Sequence, residues 1–232
     1  MSESSSPEVF PDGAEGTAIF KHGQEEFSTW YTVYGDLKSS DRTPLVILNG
    51  GPGCSYHYLL SCYDLYTKYQ IPLVFYDQLG ASNSYKPEWK LEDRPKSFWS
   101  NELHIDELLN LVRHLEIDDR FGLLGHSWGA MMAAKTAAQR QPKGLRSIVL
   151  ASGTPSMPLF VEETRKLINN LPAEHRDAIL KHEADGTTDH PDYMTAKEFF
   201  YAKHVCRLAV LPEMMFKTDE KLKENGVVYN AM

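Results

Sequence analysis

The chain has 232 residues, of which 42% are hydrophobic and 24% charged, and its formal net charge at pH 7 is −8. This length suffices for one globular core with an inserted or appended subdomain, and nothing in the sequence indicates two independent cores. The negative charge argues against nucleic acid and against an anionic membrane surface as partners.

The amino-terminal residues 1–15 are rich in serine, proline and glycine, which predicts a disordered tail. Residues 1–8 lack the basic start and apolar core of a secretory signal, and no later stretch is long enough to span a membrane. Cys54, Cys62 and Cys206 are an odd number without metal-type spacing, so no metal is expected. These features together predict a cytoplasmic protein.

Alternating and continuous apolar runs predict an α/β protein with a mostly parallel sheet. Residues 16–21 and 26–34 alternate between apolar or aromatic and polar side chains, as in an antiparallel pair with one face in water. Four later runs are apolar throughout, which is typical of parallel strands covered by helices on both faces. They lie at 45–49, 73–77, 121–125 and 147–152. Apolar residues at helical spacing predict helices near 105–115 and 130–141.

A glycine-rich loop, Asn49-Gly50-Gly51-Pro52-Gly53, follows the first continuous apolar run. Its backbone N–H groups can approach a ligand because few side chains stand in the way. Such a loop suits an oxyanion hole, a pair of donors that stabilises a negatively charged oxygen, and the predicted donor is the N–H of Gly51. Taken alone, the pattern favours a simple turn between a strand and a helix. Its pairing with a serine motif further along the chain favours the oxyanion hole.

The next apolar run ends at Asp77 and leads into a polar loop at 78–84. An aspartate at a strand end could take part in catalysis. In hydrolases with a strand–serine–helix turn, however, the catalytic acid follows the nucleophile in the chain, whereas Asp77 precedes it. We therefore predict that Asp77 accepts hydrogen bonds from backbone N–H groups and braces the loop.

The most specific motif is Gly125-His126-Ser127-Trp128-Gly129, which lies between an apolar run and a stretch of small, helix-prone residues. A serine in such a G-x-S-x-G turn has a strained backbone, and glycine at the flanking positions avoids side-chain clashes. Ser127 is therefore the candidate nucleophile, and the N–H of Trp128 is the second predicted oxyanion donor. The alternative is a tight turn whose serine caps the following helix.

Beyond residue 154 the pattern changes to helices with charged faces, predicted at 159–171, 173–182 and 195–208. The sequence thus predicts a tail over 1–15, an α/β core over 16–154 and a helical cap over 155–232. Tyr201, His204 and Arg207 share one helical stripe. We interpret this stripe as a face that ties cap helices together, with a polar site as the alternative.

Three segments in one order and spacing resemble a known family: the loop at 49–53, the run at 76–84 and the motif at 125–130 are similar to the proline iminopeptidase family of α/β-hydrolases. The resemblance runs from about residue 15 to the last residue. It implies an α/β-hydrolase core with a helical cap, no cofactor and no metal. It also implies a serine peptidase that releases N-terminal proline or a similar residue from short peptides or aminoacyl amides. In that role Ser127 is the nucleophile, Gly51 and Trp128 supply the oxyanion donors, and Asn49, Gly50, Pro52 and Gly53 support the loop.

Two departures from the family pattern have consequences. The glycine loop begins with Asn49 where the family usually has histidine. The resemblance also implies further strands and helices after residue 232 that carry the catalytic aspartate and histidine, so we expect a chain truncated before them. None of its histidines matches the position of the base. A serine without a partnered imidazole is a poor nucleophile, so we expect this chain to be nearly inactive and its 147–152 strand to be an unpaired, aggregation-prone edge.

Two functional interpretations from different classes stay open on the sequence alone. The first is a truncated serine aminopeptidase of this type. Within that class, a related hydrolase of other aminoacyl amides, esters or lactones is an alternative, because the fold and the serine do not determine the acyl group. The second is a non-catalytic relative that keeps the front half of the fold as a binding or regulatory protein.

Overall fold

The computed structural model describes residues 10–232, and residues 1–9 of the predicted tail lie outside the described part. The described chain contains one six-stranded sheet with the order β1-β2-β4-β3-β5-β6. β2 is antiparallel to β1 and β4, and the remaining pairs are parallel. The strands are β1 (Ala14–His22), β2 (Glu25–Tyr34), β3 (Leu45–Leu48), β4 (Leu73–Tyr76), β5 (Phe121–His126) and β6 (Leu145–Ala151). The predicted α/β class with a mostly parallel sheet is confirmed.

Residues 10–232 also contain eight α-helices, which cover the sheet or form a separate bundle. They are α1 (Asp64–Tyr69), α2 (Asn101–His114), α3 (Trp128–Lys135), α4 (Met157–Asn169), α5 (Ala173–Asp185), α6 (Pro191–His204), α7 (Glu213–Glu224) and α8 (Val227–Ala231). Short 3₁₀ segments lie at Tyr56–Tyr63, Ser82–Ser84, Pro87–Trp89, Leu91–Asp93 and Lys96–Phe98, and a π-helical turn, Thr136–Arg140, extends α3. Within the described range, no helix has the length and apolar character to cross a membrane.

The core lies on both faces of the parallel strands. Every residue of β3 and β4 is buried, which accounts for their continuous apolar sequences. Successive side chains of a strand point to opposite faces, so Val46 and Val74 join one cluster with residues of α2 and α3, whereas Ile47 and Phe75 join another with the Tyr56–Tyr63 segment. The two clusters hold helices against both sides of the sheet.

The observed start of β1 differs from the predicted end of the tail at residue 15. Ala14 pairs with Val33 as the first step of the β1–β2 ladder, so the hairpin takes in residues 14 and 15. The hydroxyl of Tyr34 donates a hydrogen bond of 3.0 Å to the carbonyl of Pro11. The described residues before β1 therefore contact the sheet through a tyrosine side chain, and composition does not reveal this contact.

The chain divides into two compact units whose boundaries differ from the predicted core and cap. The first unit combines the chain up to Gly153 with Glu213–Met232, and the second is Thr154–Pro212. The carboxyl-terminal helices join the first unit because Thr218 Oγ1 accepts a hydrogen bond of 3.1 Å from the N–H of Tyr58 and Val228 is 1% exposed in its core. The second unit has its own small core, formed by Ile168, Leu171, Ile179 and Ala196.

β6 forms one edge of the sheet, as expected for the 147–152 run. It pairs with β5 on one side, and no described strand lies on the other. Ile148, Val149 and Leu150 are 38%, 46% and 52% exposed, in contrast to the buried residues of β3 and β4. The apolar second half of β6 therefore presents both an open hydrogen-bonding edge and apolar side chains to solvent.

Candidate active site

Ser127 forms a one-residue turn between β5 and α3. Its backbone has φ 54° and ψ −121°, a region that residues other than glycine rarely adopt. The N–H of Ser127 donates to the carbonyl of Ala151 at 2.9 Å, and its carbonyl accepts from the N–H of Ala130 at 3.0 Å. The side chain is half-buried. The sequence motif thus lies in the strand–turn–helix context in which a G-x-S-x-G serine acts as a nucleophile.

The glycines on either side of Ser127 have no room for a side chain. A Cβ on Gly125 would lie 2.2 Å from the carbonyl oxygen of Gly129. A Cβ on Gly129 would lie 2.2 Å from the carbonyl oxygen of Leu48 in the neighbouring strand. Both obstacles are backbone atoms, which cannot rotate away as side chains do. The motif therefore has its glycines because α3 packs directly against the end of β3.

The glycine loop and the serine turn lie side by side. β3 and β5 are adjacent parallel strands whose last paired residues are Leu48 and Gly125, so the segments that follow them leave the same end of the sheet. A Cβ built on Gly50 would lie 3.0 Å from Cβ of Ser127. Among the described residues, the N–H groups of Gly51 and Trp128 have no acceptor. The two predicted donors are thus unengaged in segments that meet beside Ser127.

Asn49, the residue that departs from the family pattern, braces the loop from inside. Its side chain is fully buried. Its Nδ2 donates to the carbonyl oxygens of Tyr76 at 2.8 Å and Cys54 at 3.3 Å. Its own carbonyl accepts from Nε2 of Gln78 at 3.2 Å. Asn49 therefore joins the loop after β3 to the loop after β4.

The remaining loop residues, Pro52 and Gly53, are buried in the first unit. Gly53 has φ 88°, and a Cβ placed there would lie 3.0 Å from Cβ of Val228. The carboxyl-terminal helix α8 thus packs directly against the glycine loop. This contact was not predicted, because Val228 lies far from the loop in sequence.

Asp77 has the bracing role predicted for it. Its carboxylate accepts hydrogen bonds from the N–H of Tyr56 at 2.9 Å and from the N–H and Nδ2 of Asn83 at 3.2 and 3.0 Å. The group is fully buried, and burial raises the pKa of its carboxyl to about 7 against the opposing effect of these donors. Asp77 thus joins the 78–84 loop to the segment that follows the glycine loop.

His126 belongs to the serine turn and His57 to the segment after the glycine loop, and both imidazoles are held by other partners. Nδ1 of His126 is 3.0 Å from the hydroxyl of Tyr58, and Nδ1 of His57 is 3.0 Å from the hydroxyl of Ser55. Burial lowers the pKa of both rings, that of His57 to about 4. Within residues 10–232, no hydrogen bond joins the hydroxyl of Ser127 to an imidazole or a carboxylate. The described structure therefore gives Ser127 no base in direct contact.

The cysteine beside the glycine loop does not have the properties of a nucleophile. Burial raises the pKa of the Cys54 thiol to about 11, so the group is a protonated thiol near neutral pH. Cys54 therefore has the properties of a small, partly buried loop residue.

A buried carboxylate under the site was missed by sequence reasoning. Glu107 on α2 accepts a hydrogen bond from Thr29 Oγ1 at 2.7 Å and from the N–H of Leu79 at 2.8 Å. His104 Nδ1 lies 3.3 Å from Glu107, and the His104 ring contacts that of Trp128 with 5.3 Å between centroids. This network connects β2, α2 and the loop after β4. Its members are ordinary helix and strand residues in the sequence, so no pattern identifies them.

One group of possible metal ligands lies within the second unit. Ligand atoms of His182, His190 and Asp192 are within 4.8 Å of one another. The two imidazole rings are stacked, with 4.3 Å between centroids and 16° between planes. A metal ion binds in the plane of each ring at about 2.0–2.1 Å, and two nearly parallel planes do not meet at that distance. The arrangement is therefore a ring stack, and His190 also caps α6 by accepting from the N–H of Asp192.

The predicted helical stripe of Tyr201, His204 and Arg207 lies only partly in a helix. α6 ends at His204, so Arg207 lies beyond the helix. The His204 ring packs on Phe200 with 4.9 Å between centroids, and the Lys197 ammonium lies 5.4 Å from the centroid of the Tyr201 ring. Both contacts join residues of α6, and both are packing contacts of aromatic rings.

Comparisons with known proteins agree with this architecture. A family profile described as an alpha/beta hydrolase fold matches residues 43–230. A proline iminopeptidase of Saccharolobus solfataricus is 36% identical over 191 residues, which are 82% of this chain and 58% of that protein. A proline iminopeptidase of Lactobacillus delbrueckii subsp. lactis is 32% identical over 206 residues, covering 88% of this chain and 67% of its own length.

Solved structures of similar proteins align with most of this chain. The crystal structure of a proline iminopeptidase from Mycobacterium smegmatis aligns with a TM-score of 0.84 and 34% identity, over 94% of this chain and 70% of that one. The crystal structure of VinJ aligns with a TM-score of 0.85 and 39% identity, over 95% and 71% of the two chains. The chain thus spans 58–71% of the length of these four proteins.

Proposed function

The chain belongs to the proline iminopeptidase family of α/β-hydrolases, and from that membership we propose that it is a serine hydrolase that forms an acyl-enzyme at Ser127. The proposed substrates are short peptides or aminoacyl amides, from which it releases N-terminal proline or a similar residue. The observation that carries the proposal is the strained one-residue turn at Ser127, beside two unengaged backbone donors. The names of the relatives support the choice of substrate.

The proposed chemistry uses two steps. The Ser127 hydroxyl attacks the carbonyl carbon of the amino-terminal residue, its proton passes to a base and then to the leaving amine, and the C–N bond breaks. Water then hydrolyses the ester at Ser127 and frees the amino acid. During both steps the carbonyl oxygen becomes negative, and the N–H groups of Gly51 and Trp128 stabilise it together with the amino-terminal end of α3.

We also propose that the 232-residue chain alone is slow. The support is that the Ser127 hydroxyl contacts no imidazole among the described residues, and a serine without a base is a weak nucleophile. The same observation favours the second interpretation, a non-catalytic relative. Hydrolysis of other aminoacyl amides, esters or lactones is the alternative within the enzyme class.

The test combines active-site labelling with turnover. The purified chain is treated with a fluorophosphonate, and peptide mass spectrometry locates the adduct. Hydrolysis of prolyl and alanyl p-nitroanilides is measured in parallel. We expect slow labelling confined to Ser127 and weak turnover, with both lost in Ser127→Ala.

Ser152→Ala is the matched control, because Ser152 also has a positive φ, 50°, but lies outside the motif. It should label and turn over like the original chain. Turnover that survives Ser127→Ala would refute the assignment of the nucleophile. A chain that neither labels nor turns over would favour the non-catalytic relative.

A further inference from the structure

The hydroxyl of Tyr58 connects the two segments that meet at the serine turn. Tyr58 lies in the 3₁₀ segment that follows the glycine loop. Its oxygen accepts a hydrogen bond of 2.6 Å from the N–H of Gly50 and lies 3.0 Å from Nδ1 of His126. Gly50 directly precedes one predicted oxyanion donor, and His126 directly precedes the nucleophile. One side chain therefore contacts both halves of the candidate site.

The protonation states define the direction of both hydrogen bonds. Burial raises the pKa of the Tyr58 phenol and lowers the pKa of His126, so both groups are neutral near pH 7. The Gly50 N–H can only donate, so the phenol oxygen accepts from it. The phenol proton is then available for Nδ1 of His126, which leaves the imidazole proton on Nε2.

This connection lies where the sheet no longer holds the two segments together. The β3–β5 ladder ends at the pair Leu48 and Gly125, so the loop after β3 and the turn after β5 need other contacts. Tyr58 is itself anchored: its N–H donates to Thr218 Oγ1 at 3.1 Å, and its ring meets that of His126 edge to face at 5.3 Å. A fixed side chain with two well-formed hydrogen bonds can set the spacing of the segments that it joins.

We propose that Tyr58 is a positioning residue, whose hydroxyl sets the distance between the Gly51 and Trp128 donors and keeps the N–H of Gly50 out of the oxyanion hole. This inference rests on the proposed function for the meaning of the two donors. The contact itself, from Gly50 through Tyr58 to His126, does not depend on catalysis. It can therefore be measured separately.

The test is Tyr58→Phe, which removes the hydroxyl and retains the ring that packs on His126. Tyr56→Phe is the matched control, since Tyr56 lies in the same segment and its hydroxyl has no hydrogen-bond partner among the described residues. In Tyr58→Phe we expect the amide of Gly50 to exchange with solvent about tenfold faster, the effect of losing one hydrogen bond. We also expect the ¹⁵N signal of His126 Nδ1 to shift, because that nitrogen loses its donor. Neither change should occur in Tyr56→Phe.

The fluorophosphonate reaction then links the contact to the site. If Ser127 labels in the original chain, Tyr58→Phe should slow labelling by about tenfold, because the two donors no longer hold their spacing. An unchanged Gly50 exchange rate and His126 spectrum in Tyr58→Phe would overturn the inference, and so would faster exchange with an unchanged labelling rate. Absence of labelling in the original chain would contradict the proposed function and the positioning role together, while the Gly50 and His126 measurements would still show whether the contact exists.

Discussion

A buried imidazole links the stability of the first unit to pH. His57 is 5% exposed, and its hydrogen bond to the Ser55 hydroxyl is compatible with the neutral ring. Burial, followed by the positive charges of Lys217 and Lys221 on α7, lowers its pKa from 6.5 to about 4. The unfolded chain therefore binds a proton near pH 6.5 that the folded chain takes up only near pH 4. The contribution of His57 to the stability of the folded state is therefore fully present above pH 6.5, and it is lost as the pH decreases from 6.5 to about 4.

We predict that His57→Gln flattens this pH dependence. Glutamine can hydrogen-bond to Ser55 but does not titrate. For one group the slope is at most about 1.4 kcal/mol per pH unit between pH 6.5 and 4. The measurement is urea unfolding at several pH values. Unfolding is monitored by the fluorescence of the four tryptophans, all of which lie in the first unit.

The control for this prediction is His114→Gln at an exposed position. That variant should keep the slope of the original chain. The comparison between variants is needed because Asp77 acts in the opposite direction. Its pKa is raised from 3.8 to about 7, so the folded chain keeps a proton that the unfolded chain has already released. This contribution to stability is lost as the pH rises from 3.8 to about 7. Parallel stability curves for His57→Gln and the original chain would contradict the assigned role of His57.

At the scale of elements, the glycine loop is supported by a helix far away in sequence. α8 has five residues, too few to be stable without tertiary contacts. Val228 supplies such contacts, because a Cβ on Gly53 or Gly80 would lie within 3.0 Å of its side chain. α7 contributes Thr218, which accepts from the N–H of Tyr58. The carboxyl-terminal helices thus hold the loops after β3 and β4 from outside.

We predict that Val228→Ala lowers the free energy of unfolding of the first unit by about 1–2 kcal/mol, the cost of removing two buried methyl groups. It should also increase the rate of hydrogen exchange at the amide of Cys54, which donates to the carbonyl of Gly50, because the loop loses its support. Tryptophan-monitored urea unfolding and exchange measured by mass spectrometry test both effects. Val210→Ala, at a position 81% exposed, should change the unfolding free energy by less than about 0.5 kcal/mol. Equal effects of the two substitutions would argue against a supporting role for α8.

The elements differ in how far the sequence predicts them. Strands such as β3 and β4 were located within a residue, because burial on both faces produces an uninterrupted apolar run. The grouping of α7 and α8 with the core was not predicted. Their charged sequences are typical of surface helices anywhere, and the contacts of Val228 with Gly53 and Gly80 depend on the folded path of the chain. The periodicity of a sequence indicates which face of an element is buried, but it does not identify the element against which that face packs.

The same distinction applies to the site. Ser127 and its glycines follow from the sequence because a strained turn against backbone atoms restricts residue type, and the clashes at Gly125 and Gly129 show that restriction directly. Tyr58 and Glu107 act through the direction of a side chain in the folded state. Tyrosine and glutamate are compatible with many environments, so residue type alone gives no signal for these two.

At the scale of the whole molecule, the exposed edge of the sheet governs how copies of this chain behave together. β6 combines an open hydrogen-bonding edge with the partly exposed side chains of Ile148, Val149 and Leu150. Edge strands of this kind pair with other chains unless a charge, proline or bulge blocks them. The net charge of −8 opposes association at long range, but none of these three positions has a charged side chain. We therefore expect short-range strand pairing to dominate at high protein concentration.

We predict that the 232-residue chain self-associates as its concentration rises and that Val149→Lys suppresses this association, because strand pairing would bring the added ammonium groups into contact with apolar neighbours. Sedimentation velocity over a series of concentrations measures the effect. Val210→Lys adds the same charge at an exposed apolar position outside any strand, so it separates edge pairing from a general effect of charge. If both lysines suppress association equally, exposed apolar surface in general drives it. A chain that stays monomeric throughout the series, with a sharp and reversible thermal transition, would show that β6 is protected despite its exposure.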